Sequence, residues 1–383
     1  MYYNFRLFGQ TFYYAFFATK ESASPLTRRR ILFLLVFYSV WPLLTIIHWA
    51  CFGIDAVLFR AYKKQEVTEP LFILSCPRSG STFLHRLLAQ DTSNFTTMKT
   101  WEIYLAPSIV QKKCIHILRK IDQILLKSCL KKAFIMFDTR LLGNIKIHPT
   151  SLLSPEEDES LLLHVWDSYF IRFLFPNNRQ MPDYRHFDTA LSDPHKARSM
   201  MFYKRMVQKH LYMNPGKIYI SKSPSFCAKI ESIQHVFPDA KLIYLMREPS
   251  DMLQSAISWT VYAKKQFMTE PDTQHVYKEL LDTTVFWYQN SLRALSLTMQ
   301  TQKQLIHYDD LISEPTKQVV SLYTHFGYAQ PKNLAEIITR NALKASQSKT
   351  PHTSSYKALG INRRVVRRSY APIVKLYNSQ TKG

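Results

Sequence analysis

The stretch that most constrains the fold of this chain is residues 71–90, LFILSCPRSGSTFLHRLLAQ. Residues 71–76 are typical of a short buried strand, a polar turn follows, and the apolar residues after Gly80 have the spacing of an amphipathic helix. At a junction of strand, loop and helix, backbone N–H groups are unpaired and the helix dipole is positive. The sequence therefore predicts a cradle for an anionic group such as phosphate or sulfate.

The basic residue of this loop distinguishes two kinds of anion site. A nucleotide-triphosphate loop reads GxxxxGK[ST], with a lysine directly before the hydroxyl residue that holds magnesium. Here Arg78 precedes Gly80, and no lysine precedes the following hydroxyl residues. The best later strand, residues 241–246, is followed by Arg247 and not by an acidic residue that would hold a metal. We therefore expect an anion that is bound without a metal ion, and no metal site.

The charge of the chain indicates anionic partners. Its 383 residues include 50 Lys and Arg against 28 Asp and Glu, a formal net charge of +22. Such an excess suits a nucleotide-like donor, an anionic lipid surface or a nucleic acid. The five cysteines are scattered without CxxC spacing, so we expect neither a zinc site nor a disulfide framework.

An uncharged run of 24 residues, 31–54, follows three consecutive arginines. It is long enough to span a bilayer core and too long for the core of a signal peptide. Pro42 and His48 within it leave open a re-entrant helix that enters one leaflet. We therefore expect a membrane-associated segment at 1–64 and an α/β domain at 65–383. Spanning and re-entrant helices remain alternatives, and the side of the membrane stays open, with the cytosolic face expected for a bacterial protein.

Two further segments have local interpretations. Residues 112–147 mix Lys and Arg with Ile and Leu, which is typical of a helix on an anionic membrane surface or of a domain helix with one solvated basic face. The acidic cluster that begins at Ser154 is interpreted as a helix start. Ser154 suits the N-cap, Pro155 the first helical position and Glu157 the third, so capping explains the cluster without a function.

Strands and helices alternate in the second half of the chain. The strands are predicted at residues 217–221, 241–246 and 304–307. The helices are predicted at residues 226–237, 250–259, 276–299 and 316–326. This alternation favours a largely parallel sheet.

A second anion site is predicted at the end of the strand 241–246. Arg247 follows that strand, and Ser255 comes eight residues later in the next helix. Because parallel strands end on the same edge of a sheet, Arg247 is expected near the Arg78 loop. Two such strand ends suit a ligand with two separated anionic groups.

The segments LSCPRSGSTFLHRLL, ISKSPSFCAKI, FPDAKLIYLMREPSDMLQSAIS and IHYDDL resemble the sulfotransferase superfamily, especially its bacterial branch with PRSG[ST]T-type loops. The resemblance runs from about residue 71 to about residue 377. It implies a P-loop-type three-layer α/β domain with a largely parallel central sheet flanked by helices. The hydrophobic N-terminal helix is a feature of some members only.

The resemblance also implies a function, which is transfer of a sulfonate group from 3′-phosphoadenosine 5′-phosphosulfate to a hydroxyl acceptor without a metal. The residues matching the motif for the 5′-phosphosulfate are Arg78, Ser79, Gly80, Ser81 and Thr82. The residues matching the motif for the 3′-phosphate are Arg247 and Ser255. The hydrophobic N-terminus points to a lipid or amphipathic acceptor.

Catalytic roles follow from the same resemblance. Negative charge builds on the bridging oxygen as the S–O bond breaks, and Arg78 and Lys222 are expected to stabilise it. Lys222, in SKSP, matches the lysine of the tyrosylprotein branch, and Glu102, in TWEIY, resembles the glutamate base of that branch. Glu102 is therefore the expected base for the acceptor hydroxyl. The reserve candidates are His148, Glu156, Glu157 and His164.

Two other functions are compatible with parts of the sequence. A P-loop kinase or nucleotidase would need magnesium ligands and a Walker lysine that the loop lacks. A non-catalytic basic protein would bind membranes or polyanions through charge alone. We expect as partners a nucleotide sulfonate donor, a hydroxylated acceptor and membrane lipid, and no nucleic acid. The oligomeric state and the acceptor itself are left open.

Overall fold

A five-stranded parallel sheet forms the centre of the computed structural model, which describes residues 2–17, 25–141, 151–176, 180–267, 271–347 and 355–381. The strand order is β2-β3-β1-β4-β5, and each neighbouring pair is parallel. The strands are β1 Leu71–Ser75, β2 Phe95–Thr96, β3 Ile218–Lys222, β4 Lys241–Met246 and β5 Lys303–His307. The predicted parallel sheet is thus confirmed, with the two-residue strand β2 added at one edge.

Helices cover the sheet and extend it at both ends of the chain. In the described residues they are α1 Phe5–Phe16, α2 Arg28–Leu58, α3 Ser81–Leu88, α4 Thr100–Tyr104, α5 Ile109–Leu125, α6 Cys129–Leu141, α7 Phe170–Leu174, α8 Phe187–Ala190, α9 Asp193–Met213, α10 Ile230–Val236, α11 Pro249–Phe267, α12 Thr273–Leu297, α13 Tyr308–Ser313, α14 Pro315–Phe326, α15 Leu334–Gln347 and α16 Arg363–Thr381. Short 3₁₀ helices occur at Arg60–Lys64, Asp158–Val165, Tyr184–His186, Pro224–Ala228 and Gln300–Gln302.

The central strand β1 shows why the fold has three layers. All five of its residues are buried. Phe72 and Leu74 join the hydrophobic cluster on one face of the sheet, while Leu71 and Ile73 join the cluster on the other face. Successive side chains of a strand point to opposite faces, so an unbroken apolar strand needs helices on both sides. The predicted three-layer α/β architecture is confirmed.

The N-terminal helices pack onto the α/β part of the chain. Leu7 and Ala15 of α1, with Leu34 and Phe52 of α2, are buried in the same hydrophobic cluster as one face of the sheet. The helix α2 runs from Arg28 to Leu58 without a break at Pro42. The described part of segment 1–64 therefore shares its core with the domain that follows it.

Residues 112–147 were predicted to be helical, and the described part forms two helices, α5 and α6. A turn with Lys127 and Ser128 at positive φ separates them. The Asp122 carboxylate accepts hydrogen bonds from the N–H groups of Leu130 and Lys131, 2.9 Å each, and so caps the start of α6. Residues 142–147 lie outside the described part.

The interpretation of the acidic cluster as a helix start is wrong. Residues 154–157 are not helical, and a 3₁₀ helix begins only at Asp158. The Asp158 carboxylate is buried and accepts hydrogen bonds from Tyr203 Oη and Tyr219 Oη at 2.5 and 2.8 Å. Burial raises the pKa of Asp158 to about 6, while these hydrogen bonds act in the opposite direction. The cluster is an internal polar network, not a solvated helix end.

The neighbouring carboxylate, Glu159, forms a fully buried ion pair with Lys229. It also accepts hydrogen bonds from Ser168 Oγ at 2.7 Å and from the Tyr169 N–H at 3.1 Å. Breaking a buried pair leaves one charge without a partner in a medium of low dielectric constant. This network fixes the segment that carries Glu157.

We expect Lys229→Met to lower the free energy of unfolding by about 3–5 kcal/mol, because the Glu159 charge then stays buried and unpaired. The double variant Lys229→Met/Glu159→Gln should recover much of that loss, since no unpaired buried charge remains and the single amide oxygen still accepts one of the two hydrogen bonds. Denaturant unfolding measures both changes. The exposed pair Arg293–Glu231 is the control, where Arg293→Met should cost at most about 1 kcal/mol. Equal losses in the single and double variants would contradict this account.

Candidate active site

The loop between β1 and α3 has the backbone geometry of an anion cradle. Arg78 and Gly80 adopt positive φ angles of 64° and 84°. Gly80 is the N-cap of α3 and offers no side chain to the helix, so the first N–H groups of α3 are left for another acceptor. A Cβ at Gly80 would lie 3.0 Å from Tyr308 Cδ2. The position therefore requires glycine for its φ angle and for its contact with the Tyr308 ring.

The second predicted anion site lies against this loop. β4 pairs with β1, so Arg247 emerges next to the Arg78 loop. Arg247 Nη1 donates to the Arg78 carbonyl oxygen at 2.7 Å, and Arg78 Nε donates to Ser255 Oγ at 3.2 Å. The expected proximity of the two strand ends is confirmed. Burial and the nearby charge of Arg247 lower the pKa of Arg78.

A third strand end contributes Tyr308 to the site. Tyr308 is the first residue of α13 and directly follows β5. Its ring contacts Gly80, and the Arg247 guanidinium carbon lies 4.4 Å from the ring centroid, a cation–π arrangement. The role of Tyr308 was not predicted. The available signal was IHYDDL, an aromatic residue directly after the strand β5.

These elements open into a cavity of about 430 Å³. Predicted donor-site residues line it: Arg78, Gly80, Ser81, Thr82 and Arg247. Ser79 is buried in the loop, and Ser255 is reached through Arg78. The lining contains four cationic side chains and two carboxylates, so the cavity suits a polyanionic ligand.

A second part of the cavity wall is aromatic, with residues from α7, α11 and α12. The rings of Phe173 and Trp259 stack with centroids 6.0 Å apart, and Phe170 and Trp287 also line the space. This wall lies beside the anion cradle and suits an apolar or amphipathic molecule. No motif in the sequence marks it, because its residues come from distant segments.

A charged group interrupts the aromatic wall. Glu279 lies 2.6 Å from Arg172 Nε and 3.6 Å from Lys264 Nζ, and the three side chains line the cavity. Burial lowers the pKa of Lys264, and the charge of Glu279 raises it. The sequence contains no pattern that would have associated these three positions.

Lys222 lies behind the cavity and not in its wall. It ends β3 opposite Ile73 of β1, and its side chain is 1% exposed. Its Nζ atom is 2.8 Å from Glu157 Oε1, and Glu157 itself lines the cavity. The structure therefore connects Lys222 to the site through the Glu157 carboxylate.

The geometry does not support Glu102 as the base. Its carboxylate lies 2.9 Å from Lys112 Nζ and 3.4 Å from His210 Nδ1, and it accepts a hydrogen bond from the Lys99 N–H at 2.9 Å. Although burial opposes it, the charges of Lys112 and His210 hold the pKa of Glu102 well below its ordinary value. Glu102 is not among the residues that line the cavity. It caps α4 and anchors α5 and α9.

Among the reserve candidates in the described residues, only Glu157 lines the cavity. His164 is fully buried, and its Nε2 atom lies 2.7 Å from the Ile103 carbonyl oxygen. Glu156 is not in the cavity wall, and His148 lies outside the described residues. Glu157, which the capping interpretation had set aside, is thus one of the two carboxylates that line the cavity.

Residues 70–332, more than half of the chain, match the model of a family described as the sulfotransferase family. This chain belongs to the sulfotransferase family. The match includes the Arg78 loop, Arg247, Glu157 and Tyr308, so the described site lies inside the family region. In the part of the chain that the structure describes, no group of three or more His, Cys, Asp or Glu could hold a metal ion.

The family assignment agrees with similarity to two mycobacterial proteins. Proteins of Mycobacterium bovis and Mycobacterium tuberculosis, both named omega-hydroxy-beta-dihydromenaquinone-9 sulfotransferase Stf3, are 27% identical to this sulfotransferase-family chain over 274 residues. The matched region covers 67% of this chain, and the chain spans about 62% of the length of these relatives.

Two solved structures share the fold. Sulfotransferase STF1 from Mycobacterium tuberculosis H37Rv aligns with a TM-score of 0.69 at 17% identity, covering 96% of this chain and 91% of that one. Sulfotransferase STF9 from Mycobacterium avium aligns with a TM-score of 0.65 at 17% identity, covering 85% and 80%. At this identity the likeness shows a common fold.

Gly80→Ala should weaken binding of 3′-phosphoadenosine 5′-phosphate by about tenfold or more, because the new Cβ strains the backbone and displaces Tyr308 from beneath Arg247. Isothermal calorimetry measures the change. Gly216→Ala is the matched control, since Gly216 has a similar φ of 72° but nothing within 4 Å of its Cβ position. Equal binding by the two variants would show that the contact with Tyr308 does not matter.

Proposed function

We propose that this protein transfers a sulfonate group from 3′-phosphoadenosine 5′-phosphosulfate to a hydroxyl of a lipid or amphipathic acceptor. The observation that carries the proposal is the contact between the Arg78 loop and Arg247 at adjacent strand ends of one cavity. A donor with two separated anionic groups accounts for both sites at once. Membership of the sulfotransferase family supports the same donor.

In this proposal, the loop from Arg78 to Thr82 holds the 5′-phosphosulfate, and Arg247 with Ser255 holds the 3′-phosphate. The helix dipole of α3 and its free N–H groups favour the phosphosulfate. The charge of Arg247 disfavours the charged form of Arg78, so a bound polyanion relieves the repulsion between the two residues. Because the contacts between Arg78, Arg247 and Ser255 already exist, little reorganisation is needed when the donor binds.

The chemistry needs charge stabilisation and a proton acceptor. As the S–O bond of the donor breaks, the developing charge on the bridging oxygen is stabilised by Arg78 and by the N–H groups of the loop. We assign the base to Glu157, whose carboxylate lines the cavity. It takes the proton of the acceptor hydroxyl as that oxygen bonds to sulfur. Lys222 positions this carboxylate through their 2.8 Å contact.

The acceptor class follows from the aromatic part of the cavity. Phe170, Phe173 and Trp259 present an apolar surface next to the anion cradle. The name of the mycobacterial relatives specifies a hydroxylated menaquinone derivative as their acceptor. For this chain we propose the broader class of hydroxylated apolar molecules, in agreement with the long apolar helix α2.

Calorimetry in detergent should show that 3′-phosphoadenosine 5′-phosphate binds more tightly than ADP, which lacks the 3′-phosphate. Arg247→Ala should lower the ratio of the two affinities by about 10- to 100-fold, the usual range for the loss of a charge-assisted hydrogen bond. The control Arg293→Ala removes an exposed arginine elsewhere and should leave the preference unchanged. Equal binding of the two nucleotides by the unmodified protein would overturn the donor assignment.

Glu157→Gln should lower kcat by about 100-fold or more, because the amide cannot accept the hydroxyl proton. Binding of 3′-phosphoadenosine 5′-phosphate should be unchanged.

Glu102→Gln should instead lower the midpoint of thermal unfolding and leave the kcat of the folded protein near its original value. Glu156→Gln is a neighbouring control outside the cavity wall. A large loss of kcat in Glu102→Gln but not in Glu157→Gln would reverse the assignment.

A further inference from the structure

The helix α2 contacts the rest of the protein along its whole length. In its first turn, Arg30 Nη2 donates to the Leu174 carbonyl oxygen at 2.8 Å. In its last turns, the Asp55 carboxylate accepts from the Ile109 N–H at 2.9 Å and pairs with Lys209 Nζ at 2.9 Å. At 1.5 Å per residue, Arg30 and Asp55 are about 38 Å apart, more than the bilayer core of about 30 Å.

The chain before α2 lies on the same domain as the chain after it. The Asn4 N–H donates to the Val165 carbonyl oxygen at 3.0 Å, and the Arg198 guanidinium carbon lies 4.4 Å from the Tyr2 ring centroid. A spanning α2 would therefore draw the partners of its central residues, such as the Tyr104 carbonyl oxygen beside His48 Nε2, into the hydrocarbon core. Burying such groups in lipid is costly, so a spanning orientation conflicts with these contacts.

The opposite side of α2 is apolar and uncovered. Only 11% of its most apolar 18-residue window is buried. The exposed large apolar residues of this side are Leu32, Leu35, Val36, Val40, Leu43, Ile46, Ile47, Ile54, Val57 and Leu58. Exposed basic residues flank it: Arg28 and Arg29 before it, and Arg60, Lys63 and Lys64 after it. An uncovered apolar surface of this length marks an interaction site.

The helices α5 and α6 carry further exposed apolar residues, and α5 packs against α2. α5 begins at α2, because the Asp55 carboxylate accepts from the N–H groups of Ile109 and Val110. The exposed large apolar residues of this helix pair include Ile117, Leu118, Ile121, Ile124, Leu125, Leu130, Ile135 and Met136. Residues 112–132 contain seven Lys and Arg and one Asp, so basic groups surround the apolar ones.

We propose that the uncovered sides of α2, α5 and α6 form one membrane face, which inserts in the plane of a single anionic leaflet. The membrane face combines aliphatic side chains with a basic border, the pattern of helices that lie at the boundary of headgroups and acyl chains. Lys and Arg at headgroup level attract anionic lipid. The covered side of α2 stays on the domain, so the helix neither spans the bilayer nor re-enters it as a loop.

The helix α7 lies between the covered side of α2 and the cavity. Phe170 and Phe173 of α7 line the cavity, while its last residue, Leu174, accepts the hydrogen bond from Arg30 of α2. The next residue, Phe175, has its ring centroid 5.1 Å from that of Phe37. If the proposed function holds, an apolar acceptor reaches the aromatic end of the cavity from the leaflet. Membrane binding itself does not depend on that function.

Flotation of the full-length protein with vesicles tests the membrane face. The protein should bind vesicles of phosphatidylcholine with 30% phosphatidylglycerol more strongly than vesicles of phosphatidylcholine alone. The double variant Arg119→Gln/Lys120→Gln should reduce that preference about fivefold or more. Ile117→Ser/Ile121→Ser/Ile124→Ser should lower binding about tenfold or more. Leu297→Ser/Met299→Ser is the control, because these residues are 78% and 64% exposed but lie outside the face. Equal binding by the two serine variants would overturn the proposal, as would a soluble dimer without affinity for vesicles.

The orientation of α2 needs a separate readout. In membrane vesicles of the expression host, tags at the two chain ends should be cleaved by protease from the same side, since the residues on both sides of α2 lie on one domain. Tags on opposite sides would show a spanning helix and overturn the in-plane orientation. Neither measurement uses turnover, so a failure here is distinguishable from a failure of the proposed sulfonate transfer.

Discussion

The contact between the Arg78 loop and Arg247 is the constraint on which the site depends. Arg247 Nη1 donates to the Arg78 carbonyl oxygen, while the charge of Arg247 disfavours the charged form of Arg78, so other groups must hold the two residues in place. β1 and β4 are adjacent strands, Ser255 accepts from Arg78, and the Tyr308 ring lies beneath Arg247. The sheet order thus brings two arginines to one edge of the sheet and gives the cavity an excess of positive charge. A polyanionic ligand is the component that balances it.

A second set of charges supports the site from behind. Glu157, Asp158 and Glu159 follow one another in the chain, yet each has a different environment. Glu157 faces the cavity with Lys222 beside it, Asp158 is surrounded by hydroxyl groups, and Glu159 is paired with Lys229. The two inner carboxylates fix the backbone of this segment, so the outer one can be directed at a reacting group. Stability and proposed catalysis therefore share a few consecutive residues.

Local patterns explain why much of the fold could be predicted. β4 has the predicted bounds, β3 is shifted by one residue at each end, and β5 begins one residue earlier than predicted. Unbroken apolar runs between polar turns identify such buried strands. The acidic cluster was misassigned for the opposite reason. Capping rules describe exposed helix ends, whereas Glu159 of this cluster is buried against Lys229. Sequence spacing does not indicate such contacts, nor the pairing of Glu102 with Lys112 outside the cavity wall.

By itself the sequence determined the anion cradle, the parallel α/β order and the presence of a long apolar helix. These features rest on periodicity, on Gly80 and on hydropathy, which are properties of neighbouring residues. Only the tertiary structure decided which carboxylate faces the cavity and which side of α2 is covered. Glu157 and Lys222 are 65 positions apart in the sequence. Asp55 forms an ion pair with Lys209, which lies even farther along the chain. Pairings of this kind form only when the sheet brings distant segments together, because burial and charge compensation act through space and not along the sequence.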